Sequence, residues 1–201
     1  MNSASGLNQH IHFMSRLTFI IGGARSGKST FAMKLAGTYE HVCYVATADS
    51  AQTSQINDDE MARRIQNHKE NRPSDWETIE APLDLDKTIS SLNGKLRDVV
   101  LIDCITLYIT NMLLNSREAQ KEVEEEKKER HIIDAINRLC IACKKITPHV
   151  IMVSNEVGYG IVPDNSLSRR FRDIAGHANQ LIAKEADSVF LVTAGIETKL
   201  K

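Results

Sequence analysis

A chain of 201 residues, 42 % of them hydrophobic, can bury one sizeable core without metals or disulfides and is too short for a second full domain. Its 25 Lys and Arg against 26 Asp and Glu give a net charge of −1, so no global field recruits nucleic acid or an anionic membrane, and a small-molecule partner fits better. No apolar run approaches the roughly 20 residues that span a bilayer, and the N-terminus lacks the basic-then-apolar order of a signal peptide, so no membrane span and a cytoplasmic location are expected.

Residues 1–15, with Asn, Ser, Gly, Gln and two His before the first strand, read as a mobile N-terminal extension, and residues 16–201 as a single catalytic domain. The first apolar run, Leu17–Ile21, reads as a strand. It leads into Gly22-Gly23-Ala24-Arg25-Ser26-Gly27-Lys28-Ser29, the spacing of a phosphate-cradling P-loop, and then into a helix over Thr30–Tyr39. Gly22 and Gly27 let successive backbone N–H groups approach the phosphates, Lys28 reaches the β and γ oxygens, and the Ser29 hydroxyl is placed for Mg²⁺. Residues Gly22 to Thr30 are therefore the expected nucleotide cradle, with a flexible Gly/Ser turn as the bland alternative.

A second strand is expected at Val42–Ala46. Beyond it, residues 58–80 gather a possible helix over Asp58–Lys69, a His among Arg64, Lys69 and Arg72, and the chain's one Trp at position 76. Flanking cations keep an imidazole neutral and draw phosphate oxygens to it, but the spacing alone favours a surface helix ending before Pro73 with Trp76 as a packing anchor. The run Val99–Ile102 is a third strand, ending in Asp103, a carboxylate suited to Mg²⁺ or its water shell. The charged, then apolar, stretch Lys121–Lys145 reads as a helix. Its stripe Ile132, Ile133, Ile136, Leu139, Cys140, Cys143 makes the C-x-x-C pair core residues rather than zinc or redox ligands.

Strands at Val150–Val153 and Val189–Val192 flank a Gly-rich segment, Asn155–Pro163, and a helix over Leu167–Ala186. Near the start of that helix lie Arg169, Arg170 and Arg172, where cations oppose the helix dipole, a placement that calls for an external anion. Five continuous apolar strands separated by helices give an open, mainly parallel α/β sheet flanked by helices. Ligands bind such sheets beyond the carboxyl ends of the strands, so Gly22–Ser29, Thr47–Asp49, Asp103–Thr106 and Ser154–Gly160 should converge on one crevice.

Several segments in fixed order carry a resemblance across residues 17–201: the P-loop, Asp58-Asp-Glu-Met61, Arg64-Ile…His68-Lys…Arg72-Pro73…Trp76…Thr78-Ile-Glu80, Leu101-Ile-Asp103-Cys…Thr106…Thr110-Asn111, Ser154-Asn-Glu-Val-Gly158-x-Gly-Ile-Val-Pro163, and Arg169-Arg-Phe-Arg-Asp-Ile-Ala-Gly176…Asn179-Gln180. With these the chain resembles the bifunctional adenosylcobinamide kinase / adenosylcobinamide-phosphate guanylyltransferases of cobalamin biosynthesis. The resemblance implies a P-loop NTPase fold, RecA-like, and two reactions: phosphorylation of adenosylcobinamide by an NTP, GTP or ATP, then transfer of GMP from GTP to adenosylcobinamide phosphate. It implies that His68 is the covalent guanylyl carrier, with Asn67 rather than a second histidine beside it.

By the same resemblance Lys28 serves both steps, Ser29 and Asp103 hold Mg²⁺, and nucleotide contacts fall also on Ala46, Thr47, Lys69, Glu70, Asn71, Arg72, Glu80 and Asp103. Glu80 is expected near the guanine or the ribose. The segment Asn155–Pro163 would wall the corrinoid or a neighbouring subunit, and the family is known as a cyclic homotrimer. A P-loop kinase for an unrelated small molecule would leave the His68 cluster idle, and against a recombinase-like or regulatory ATPase acting on nucleic acid stand the near-neutral charge and the lack of a basic stripe in this chain.

Overall fold

The structure, a computed structural model, describes residues 16–48, 72–94, 96–114 and 122–201. The expected Asp58–Lys69 helix and the candidate residues His68, Lys69, Glu70 and Asn71 lie outside them, as do residues 1–15. Seven strands form one sheet: β1 (Leu17–Gly22), β2 (Val42–Ala46), β3 (Glu77–Glu80), β4 (Val99–Asp103), β5 (His149–Asn155), β6 (Ser188–Thr193) and β7 (Ile196–Lys199), in the order β3-β2-β4-β5-β1-β6-β7. All neighbours run parallel except β6 and β7. The five expected strands are present. Because β5 is inserted between the P-loop strand β1 and the Asp103 strand β4, the arrangement is that of a RecA-like P-loop NTPase.

The apolar runs are continuous because both faces are covered. Leu17, Phe19, Val45, Val100, Ile102, Val150 and Met152 join one buried cluster, while Ile20, Tyr44, Val99, Leu101, Ile151 and Val153 join a second on the opposite face. Helix α1 (Lys28–Ala36) covers the second cluster with Ala32 and Ala36, whose small side chains permit close approach. It stops at Gly37, earlier than the expected Tyr39, where the Gly37 N–H donates to the Met33 carbonyl at 2.8 Å. Helices α2 (Leu85–Ser91), α3 (Ile105–Leu114), α4 (Glu122–Lys145) and α5 (Ser166–Glu185) contribute to the first cluster. Cys140 and Cys143 are buried there with Ile132, Ile136 and Leu139, as the stripe requires.

The sequence reading omitted two strands and two helices. β3 is an exposed edge with two glutamates in four residues, and its signal is confined to Thr78 and Ile79. β7 is exposed throughout and is carried by a hairpin in which Ala194 (φ 53°) and Gly195 (φ 81°) supply the positive dihedrals of a tight turn. α2 is short, and α3 shows no polar face to set its period against a strand. At the start of α5, where the sequence pattern calls for an external anion, Arg169 and Arg172 have partners within the chain. Asn165 caps that end by accepting from the Ser168 N–H at 2.8 Å, Arg169 Nη1 donates to the Pro163 and Asp164 carbonyls at 2.8 and 2.6 Å, and Arg172 pairs with Asp173 at 3.0 Å.

Candidate active site

At the carboxyl end of β1 the chain turns through the P-loop into α1. Gly22 is held between two strands, in register with Asn155 of β5 and Val192 of β6, and a Cβ there would stand 2.4 Å from the Val192 carbonyl and 2.6 Å from Ser26 Oγ. Gly27 has φ 94° as the residue before the helix, a conformation that disfavours any other side chain. The β6–β7 turn braces the loop from outside, since the Gly195 N–H donates to the Ser26 carbonyl at 2.8 Å. Gly23, Ala24 and Arg25 form the exposed rim, and Thr30 is exposed on the first turn of α1.

Lys28 is buried at the first position of α1, and its Nζ donates to the Gly23 carbonyl at 3.0 Å across the loop. Burial lowers its pKa, opposed by the nearby Cys104 and Asp103. The ammonium is therefore held on the loop's own carbonyl. Ser26 Oγ is buried within the loop without a hydrogen-bond partner.

Asp103 ends β4 on the face that carries α1, following the alternation of Val99 and Leu101. The Tyr44 hydroxyl donates to its Oδ2 at 3.0 Å, and burial together with the Asp103 charge pushes the Tyr44 pKa well up, so that phenol stays a donor. Over the Tyr44 ring lies the Arg72 guanidinium, 3.7 Å from the centroid, with its Nε buried and unpartnered. Arg72, Tyr44 and Asp103 thus make one continuous chain of contacts from β2 to β4.

The neighbouring strand ends are stitched by side chains. Thr47 is fully buried, and its hydroxyl donates to the Cys104 carbonyl at 2.7 Å while accepting from the Cys104 N–H at 2.8 Å. Asn111 Nδ2 donates to the Thr47 carbonyl at 2.7 Å and to that of Pro82 at 3.0 Å. Asn155 Nδ2 donates to Thr106 Oγ1 at 2.8 Å, and the Glu156 N–H donates to the Gly22 carbonyl at 2.9 Å. Ala46 is in register with both Asp103 and Glu80, and Glu80 is exposed at the end of β3. Among the described residues, the four expected segments meet at the carboxyl end of the sheet through these bonds, while Asp49 lies outside them.

Ser29, in the first turn of α1, and Asp103 offer a hydroxyl and a carboxylate, hard oxygen donors. Among the described residues no group of three or more His, Cys, Asp or Glu is placed to hold a metal alone. That sparse donor set fits Mg²⁺, which keeps several waters and takes phosphate oxygens rather than an all-protein cage. The histidines at positions 41 and 149 sit at the opposite, amino edge of the sheet: His41 pairs with Asp98 at 3.1 Å, and His149 is hydrogen-bonded to Thr18 at 2.9 Å and Tyr39 at 2.8 Å. Tyr44, Asn111 and Asn179 carry polar groups that the sequence reading left without a role. The usable signal was a hydroxyl or amide inside an otherwise apolar stretch.

With the geometry in place, likeness to known proteins becomes specific. Residues 18–200 match the family described as CobU: Cobinamide kinase / cobinamide phosphate guanyltransferase. The chain is 45 % identical over 187 residues to the Bifunctional adenosylcobalamin biosynthesis protein CobU of Salmonella typhimurium, covering 92 % of this chain and 99 % of that protein. It is 42 % identical over 188 residues to the protein of the same name from Escherichia coli, with the same two coverages, 92 % and 99 %. A relative named Bifunctional adenosylcobalamin biosynthesis protein CobP, from Pseudomonas aeruginosa, is 39 % identical over 183 residues, 90 % of this chain and 95 % of that one. Among solved structures the KaiC-like protein PH0186 from Pyrococcus horikoshii matches with a TM-score of 0.45 at 16 % identity, over 88 % of this chain and 70 % of its own, a likeness too distant to add to the assignment. Membership excludes the unrelated-kinase and regulatory-ATPase alternatives: the chain belongs to the family of cobinamide kinases and cobinamide phosphate guanyltransferases.

Proposed function

We propose that the crevice binds one nucleoside triphosphate for both reactions of the family, and that the guanylyl group passes through a covalent adduct on His68. The observation that carries this reading is the contact chain Arg72–Tyr44–Asp103, which ties Arg72, four residues along the chain from His68, to the metal-suited end of β4. Four peptide steps separate His68 from Arg72, so covalent geometry alone keeps their Cα atoms within about 14 Å. Among the described histidines, His41 and His149 are engaged at the far edge of the sheet, and His131 and His177 are exposed on α4 and α5.

In the phosphorylation step the backbone N–H groups of residues 22–27 cradle the phosphates and Lys28 exchanges the Gly23 carbonyl for β and γ oxygens. The acceptor hydroxyl bonds to the γ-phosphorus as the bond to the β-phosphate oxygen breaks, leaving the diphosphate. In the guanylyl step a neutral His68 nitrogen attacks the α-phosphorus of GTP and pyrophosphate leaves, neutralised by Lys28. A phosphate oxygen of adenosylcobinamide phosphate then attacks the same phosphorus, the P–N bond breaks, and His68 is released. Mg²⁺, held by Ser29 and Asp103, would supply charge neutralisation on the phosphates. Lys69, Glu70, Asn71 and Arg72 would line the nucleotide, and Glu80, in register with Ala46 and near Thr47, would meet the guanine or the ribose.

The same reading extends to a homotrimer working in the cytoplasm. Tyr159, Ile161, Val162 and Leu167 are 90 %, 96 %, 62 % and 47 % exposed in one stretch after β5, a concentration of apolar surface that favours a covering subunit or a bulky corrinoid. No helix of the described residues is long and apolar enough to cross a membrane.

Intact-protein mass spectrometry after incubation with GTP and Mg²⁺ tests the covalent step. A GMP-sized adduct on the wild type that disappears in His68→Ala, with some cobinamide phosphorylation retained, is the expected result. Guanylyl transfer by the mutant at a rate comparable to wild type would rule out the histidine carrier.

A further inference from the structure

We propose that Asn155 is a catalytic residue of the phosphoryl-transfer step, its carboxamide meeting the γ-phosphoryl group of the bound triphosphate, and that Thr106 positions it. The inference rests on the nucleotide-binding reading of the P-loop. β5 runs between the P-loop strand and the Asp103 strand, and the registers Gly22↔Asn155 and Asp103↔Val153 carry Asn155 two residues past the level of Asp103, into the gap between the two motifs. By strand alternation Asn155 follows Ile151 and Val153, which belong to the cluster under α1, as Asp103 follows Val99 and Leu101. Asn155, Asp103 and Lys28 therefore share one face and one end of the sheet.

A triphosphate on a P-loop sets its α and β groups against the loop N–H donors and directs its γ group to the space bounded by the lysine and the carboxylate strand. The strand between those two ends in Asn155. Its side chain is also restrained in a way that an ordinary turn asparagine would not need. Nδ2 donates to Thr106 Oγ1 at 2.8 Å, Thr106 is 3 % exposed and lies 3.2 Å from Cys104 Sγ, and the backbone beneath is held too, the Asn155 main-chain carbonyl accepting from Nδ2 of buried Asn179 at 3.1 Å. A carboxamide has two N–H groups and an oxygen. Thr106 takes one N–H, and among the described residues nothing engages the second N–H or Oδ1, on a half-buried residue at the crevice. A neutral donor fixed in advance beside oxygens that gain charge in the transition state is the arrangement that accelerates transfer.

Selectivity between the two reactions provides the test. Wild type, Asn155→Ala, Asn155→Asp and Thr106→Val are compared in three measurements: phosphorylation of adenosylcobinamide, guanylylation of adenosylcobinamide phosphate supplied ready-made, and calorimetric affinity for a non-hydrolysable triphosphate relative to the diphosphate. Removal of one preorganised donor should lower kcat for phosphorylation on the order of 100-fold. Guanylylation, which breaks the bond at the α-phosphorus, should fall far less, and the preference for triphosphate over diphosphate should shrink. Asn155→Asp, nearly isosteric, should keep the fold while repelling the γ group, and Thr106→Val should give the same pattern in weaker form. Parallel losses in both reactions, or an unchanged phosphorylation rate, would overturn the assignment. A wild type that bound no triphosphate at all would instead overturn the P-loop reading beneath it.

Discussion

Replacing Gly22 with Ala tests whether the P-loop is shaped by the sheet behind it. The added methyl would lie 2.4 Å from the Val192 carbonyl and 2.6 Å from Ser26 Oγ, and the first cannot rotate aside, being backbone of β6 in register with Gly22. Overpacking of this kind costs about 1–3 kcal/mol. For a chain of this length that amounts to a fall of about 2–12 °C in Tm. The strands must part or the loop must shift, and either moves the N–H groups that cradle phosphate, so triphosphate affinity should fall as well. Gly23→Ala is the matched control, because a Cβ there meets nothing within 4 Å. Thermal unfolding and calorimetric titration of the two variants give the comparison. Equal Tm and equal affinity for Gly22→Ala and Gly23→Ala would refute the argument.

Lys28→Met should abolish the thermal stabilisation by nucleotide without destabilising the ligand-free protein, because the burial of the ammonium outweighs its attraction to Cys104 and Asp103. Burial lowers the Lys28 pKa, so between that value and 10.5 the unfolded chain binds more protons; the stability of wild type relative to Lys28→Met should therefore rise with pH across this window, as measured by urea unfolding. Tyr44→Phe removes the donor to Asp103 while keeping the ring under Arg72, and should cost about 1.5–3 kcal/mol in the same assay, with an unchanged denaturation midpoint counting against the bond. If Tyr159, Ile161 and Val162 are covered by a neighbouring subunit, Ile161→Glu should convert a trimer to monomer by light scattering, and a monomeric wild type would refute that use of the patch.

Much of this architecture was legible in the chain itself. Runs such as Val99–Ile102 and Val150–Val153 are apolar at every position because both faces are covered, and that pattern separates a parallel central strand from an amphipathic one. The glycines of the P-loop were legible because each meets a specific backbone demand, a neighbouring carbonyl at Gly22 and a positive φ at Gly27. Edge strands escaped notice because Glu77–Glu80 and Ile196–Lys199 bury little and so carry no hydrophobic period. Of the arginines at the start of α5, Arg169 is held by carbonyls of the preceding loop, a partnership that leaves no trace in charge pattern.

The sequence by itself determined the chemistry of the P-loop, the carboxylate at the end of β4, the α/β class and the family, since these depend on residue type and local spacing. Only the tertiary structure decided that β5 separates β1 from β4, that Tyr44 joins Arg72 to Asp103, and that Asn155 stands opposite Gly22 with its amide fixed by Thr106. Strand order and cross-strand register are set by which buried faces fit together across the whole sheet, and no local pattern along the chain records that fit.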